Sequence, residues 1–109
     1  MDKTNRGQAM TMILAVLRDG ARHGYDIARE VERRSDRRIK FNDGTLYPVL
    51  HALEREGLIG SHWDSPAGER QRRVYVLNEK GHQELERQVH AWKLFSSAVN
   101  QVLEPGTEG

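Results

Sequence analysis

The sequence predicts a mainly α chain with one small β-hairpin, on three observations. Apolar residues recur at helical spacing in three short segments. Two runs rich in β-formers then flank a turn containing Pro66 and Gly68. Last comes a long segment whose apolar residues alternate spacings of four and three, the rhythm of a helix packed on another helix.

Met10, Ile13, Leu14 and Leu17 fall at i, i+3, i+4 and i+7 and predict a first helix over 6–18. "DGARHG" interrupts it with Gly20 and Gly24, and a second helix follows over about 24–35 with Ile27, Ala28 and Val31 facing inward. Leu46, Val49, Leu50 and Leu53 define a third, capped by Asn42 or Asp43 and stopped at Gly57. That inward stripe leaves Thr45, Tyr47, Pro48, His51, Ala52 and Arg55 outside. "LIGSHWD" and "RRVYVLN" are the expected strands, joined by "SPAGERQ". Asn78 is expected to cap a final helix that runs to about Leu103, where Pro105 and Gly106 end it. Its seam is Leu85, Val89, Trp92, Ser96, Val99 and Leu103. A second row of Ala91, Leu94, Phe95, Ala98 and Val102 is more apolar surface than a lone terminal helix can hide.

At 109 residues the chain is one domain by length, and a mean hydropathy of −0.77 leaves it little apolar surface to spare. The net charge of +1 is unremarkable, but "AREVERRSDRRIK" at 28–40 and "ERQRR" at 69–73 gather the positive charge. There is no cysteine, which excludes disulfides, thiolate metal sites and cysteine nucleophiles. The five histidines include no i, i+4 pair, so no metal site is expected. No nucleophile elbow or phosphate-binding glycine loop is present, so neither an enzyme nor a cofactor is expected. The apolar run "MILAVL" is too short to span a bilayer, and no membrane partner is expected; a cytoplasmic location is.

Three short helices followed by a hairpin is the order of a winged helix-turn-helix, with a long C-terminal dimerisation helix appended. The expected division is 1–77 for the winged unit, 78–104 for the dimerisation helix and 105–109 for a flexible tail. In that architecture the third helix enters the major groove of double-stranded DNA, led by its N-terminal turns, while the hairpin reaches the flanking backbone. Gly44 and Pro48 cost the third helix stability, which points to a shaped contact surface unless Pro48 merely starts the helix later. Tyr47 suits either a DNA contact through its hydroxyl or packing on the neighbouring helix. His51 and Arg55 lie one turn apart on the outer face, suited to base or phosphate contact or else a solvated face. Arg70, Arg72 and Arg73 suit phosphates, or form an ordinary charged turn. "RRSDRRIK" offers flanking phosphate contacts or a solvated face. Trp92 either buries area at a dimer interface or flanks a flat cavity. A winged-helix module that binds another protein and no DNA is the alternative function.

"HGYDIA" at 23–28, "GTLYPVLHALEREGLI" at 44–59 and "RRVYVLNEKG" at 72–81 resemble the PadR family of bacterial transcriptional regulators, in its short branch with a single C-terminal helix. The resemblance covers about residues 8–104. It implies a homodimer whose final helices cross between subunits, repressing genes through a palindromic, inverted-repeat operator. It places the DNA surface on Tyr25, Thr45, Tyr47, Pro48, His51, Arg70, Arg72 and Arg73. It further implies a small planar aromatic effector held between paired Trp92 side chains, with Leu85, Val89, Ser96 and Val99 in the same interface. Asn78 stands where the family usually has threonine, another residue that caps helices.

Overall fold

A computed structural model describes residues 5–65, 68 and 70–106. Helix α1 spans Arg6–Arg18, strand β1 Arg22–His23, α2 Gly24–Arg34, α3 Asp43–Arg55, β2 Ile59–Asp64, β3 Arg72–Leu77 and α4 Glu79–Leu103. The strands form one antiparallel sheet in the order β1-β3-β2. The two-residue β1 is absent from the sequence prediction, because a strand that short has no periodicity to read. It exists through its partners, Arg22 opposite Tyr75 and His23 opposite Val74.

Local chemistry sets the helix ends. Asn5 opens α1 with a reciprocal cap: its Oδ1 accepts from the Gln8 amide at 2.8 Å, and Gln8 Oε1 accepts from the Asn5 amide at 3.0 Å. Asn42 opens α3, its Oδ1 accepting from the Thr45 amide at 2.9 Å. At the far end of α3 the chain reverses through Gly57, at φ 76°, with the Gly57 and Leu58 amides donating to the Glu54 and Leu53 carbonyls. This left-handed closure favours glycine. Helix α2 ends by the same hydrogen-bond pattern with Asp36 in the left-handed position, at φ 53°.

Ile13, Leu14, Ile27, Leu46, Leu50 and Leu53 are fully enclosed where α1, α2 and α3 meet, and Tyr75 and Ile59 close the core from the sheet. Each such aliphatic side chain stabilises the fold by roughly 1.5–3 kcal/mol when buried. Ala52, expected outside, is buried at 2% exposure: it widens the apolar stripe of α3 to five positions.

The first turns of α4 belong to this core. Leu85 is 1% exposed within its own chain, so it is not available to a second copy as the seam spacing suggested. Thr11 of α1 hydrogen-bonds Gln88. Gly81 lies so close to the chain that a Cβ there would sit 2.1 Å from the Leu58 carbonyl oxygen. Asn78 does not cap α4 with its side chain; Nδ2 instead donates to the Gly57 carbonyl at 3.2 Å. Its amide donates to Leu58 O at 3.0 Å, and Lys80 Nζ donates to Glu56 O at 2.8 Å. Three successive carbonyls just past α3 are thus held by the start of α4. Beyond Val89 the helix leaves the core, and the chain reaches 61 Å along its longest axis against 30 and 21 Å across.

Candidate nucleic-acid interface

Gly44, Pro48, His51 and Arg55 form one exposed stripe along α3. Pro48 lies inside the helix, which begins at Asp43, so a later start does not explain it. Its missing N–H leaves the Gly44 carbonyl without its usual helical donor and free to face solvent or a ligand.

Thr45 and Tyr47 flank the stripe and are half-buried, not fully outward as the spacing suggested. Tyr47 lies across the start of α2: a Cβ on Gly24 would meet its ring and hydroxyl at 3.0 Å. The packing reading of Tyr47 therefore describes most of its surface. Tyr25 is 67% exposed, and the Arg29 guanidinium sits 5.6 Å from its ring centroid.

Arg70 and Arg72 are exposed on the wing, with Arg72 opposite Asp64 in the β2–β3 register. Arg73 is engaged differently. Its Nε donates to Ser61 Oγ at 2.9 Å, its guanidinium lies 3.6 Å from the Glu54 carboxylate, and Ser61 Oγ donates to that carboxylate at 2.7 Å. The same guanidinium stacks 5.3 Å from the Trp63 ring. Arg73 thus ties the wing to α3. On the other sheet face His23 lies between Asp26 and Asp64, at 3.4 and 3.5 Å, linking α2 to the wing. Pro66, Ala67 and Glu69 of the turn lie outside the described residues.

Part of the basic run is neutralised internally. Arg33 and Arg34 both hydrogen-bond Glu30, and Arg34 also reaches Asp19 at 2.7 Å. The two guanidiniums hold the Glu30 carboxyl down at about 2, against an ordinary 4.5. Arg37, Arg38 and Lys40 remain exposed beyond them.

At the other end of the molecule Trp92 is 51% exposed, with the Phe95 ring 6.4 Å away and tilted. Leu94, Val102 and Leu103 are also exposed, while Ser96 and Val99 are half-buried. Sequence reasoning passed over Trp63 and Glu54. The signal for them was the strand pairing that sets Trp63 opposite Arg73, which a run of β-formers does not disclose.

Three helices, a two-stranded wing and a short strand pairing with it define the winged helix-turn-helix class, with an exposed stripe on the third helix. Residues 13–87 match the transcriptional regulator PadR-like family, and the chain belongs to that family of transcriptional regulators, which are not enzymes. A transcriptional regulator from Clostridium thermocellum superposes with a TM-score of 0.83 at 25% identity, over 91% of this chain and 96% of its own. A PadR-family regulator from Eggerthella lenta gives 0.80 at 28% identity, over 93% and 86%. Bacillus subtilis PadR, solved in complex with operator DNA, gives 0.67 at 27% identity, over 74% of this chain and 46% of that one. Among the described residues no helix is long and apolar enough to cross a membrane.

Proposed function

We propose that this regulator acts as a homodimeric repressor, setting its two α3 helices into successive major grooves of an inverted-repeat operator. The observation that carries this reading is the exposed stripe of Gly44, Pro48, His51 and Arg55, bordered by wing cations, on a fold whose relative binds operator DNA. Pro48 and His51 are the base-edge candidates, with Thr45 and the Tyr47 hydroxyl at the margin of the contact. Tyr25, Arg70 and Arg72 meet phosphates, and Arg73 holds the wing in place for them. Two-fold symmetry sets the half-sites about 10 base pairs apart.

The apolar outer half of α4 supplies the dimer contact through Val89, Trp92, Ser96 and Val99. A planar aromatic entering beside Trp92 would compete for that contact and lower operator affinity by altering the angle between the two α3 helices. Anisotropy with duplex DNA over a range of salt tests the DNA reading. Affinity should fall steeply as salt rises, and Arg72→Ala, which removes one phosphate contact from each subunit of the dimer, should make the log–log slope shallower by about 1.8. A chain that binds no duplex even at low salt is not an operator-binding protein.

A further inference from the structure

Among the described residues of the wing, Trp63 is a large hydrophobic side chain that the core does not use: it is 60% exposed on β2. Its position is nonetheless fixed. Register sets it opposite Arg73, whose guanidinium lies over the indole at 5.3 Å and is itself held by Ser61 and by Glu54 of α3. Strand alternation puts Trp63 on the same sheet face as Ser61, the face turned toward α3. Glu54 in turn is the neighbour of exposed Arg55 and lies three residues beyond exposed His51. An aromatic plate with a cation on it therefore stands beside the exposed stripe of α3.

We propose that the Trp63 indole is a DNA contact, packing against the deoxyribose of the backbone that borders the groove entered by α3. This rests on the duplex-binding reading above. The indole offers the apolar surface that a sugar ring matches, while Arg73 stays engaged with Ser61 and Glu54 and backs the ring. Loss of conformational freedom on binding is small, because the hydrogen-bonded guanidinium already holds the ring. A sugar contact carries no sequence information, so the proposal concerns affinity for any duplex and can be tested before the operator is known.

The test is anisotropy of the full chain with a mixed-sequence duplex at several salt concentrations. Trp63→Ala should weaken binding on the order of tenfold at every salt concentration, with the log–log slope unchanged, since losing an uncharged ring removes no phosphate contact and leaves counterion release as it was. Trp63→Phe should recover most of the loss. Binding by Trp63→Ala within about twofold of the unchanged protein overturns the proposal. So does a shallower slope, which would mean that the indole serves only to position Arg73. A second measurement avoids dependence on the alanine variant's folding. In 5-fluorotryptophan protein the fluorine resonance of Trp63, assigned with Trp63→Phe, should shift when duplex is added, and a resonance that stays put overturns the contact. If the unchanged protein binds no duplex at all, the DNA reading itself has failed; if it binds and Trp63 is silent, only the contact has.

Discussion

Pro48 is a residue that folding alone would not choose. A proline in a helix interior costs about 3 kcal/mol, and Pro48 sits past the first turn, where the Gly44 carbonyl would otherwise receive its amide. Its ring is exposed, so no core packing repays the cost. Pro48→Ala should therefore raise unfolding free energy in urea by about 1–2 kcal/mol, after allowing for the proline's restriction of the unfolded chain. The same variant should bind duplex more weakly, having lost the ring and the bare carbonyl. A variant that is both more stable and equally tight would remove the reason for keeping the proline. A different residue-scale contrast lies at Tyr47: neighbouring positions on one helix divide between surface and packing because Gly24 leaves room for a ring.

Among the elements, α2 carries the clearest electrostatic signature. Its Glu30 titrates at about 2 in the folded chain against an ordinary 4.5, through hydrogen bonds from Arg33 and Arg34. A lowered carboxyl adds stability above its unfolded pKa and gives it up as pH falls through the folded one. Glu30→Gln should thus flatten the decline of unfolding free energy between pH 4.5 and about 2, followed by denaturant titration at stepped pH. An unchanged decline would assign it to other carboxylates such as Glu84, which Arg87 and Gln88 also hold low. The helices themselves were legible in the sequence because a 3.6-residue repeat is written directly in the side chains: α1, α2, α3 and α4 fall close to where Ile13, Ile27, Leu50 and Leu85 place them. Contacts between elements were not. β1 exists only by pairing with β3, the Arg73 bridge to Glu54 needs the strand register, and the Asn78 side chain leaves its own helix for the Gly57 carbonyl. Spacing along α4 likewise gives Leu85 and Trp92 the same seam, although the first is enclosed in the core where α4 meets α1 and the second stands in the open.

For the whole molecule the decisive feature is the outer half of α4, where Trp92, Leu94, Phe95, Val102 and Leu103 are each at least half exposed. That much contiguous apolar surface on a chain of 109 residues is what association would cover. The unchanged protein should sediment as a dimer with a Tm that rises with concentration, and Phe95→Glu should give a monomer whose Tm does not. A Phe95→Glu protein that remains dimeric would move the interface elsewhere. The grip of Asn78 and Lys80 on the carbonyls of Glu56, Gly57 and Leu58 would give such an interface a longer reach. With Gly81 seated against Leu58, a change in the angle of α4 would be passed to the end of α3, as the handle of a key turns its bit. Turning one without the other would require breaking the joint between them.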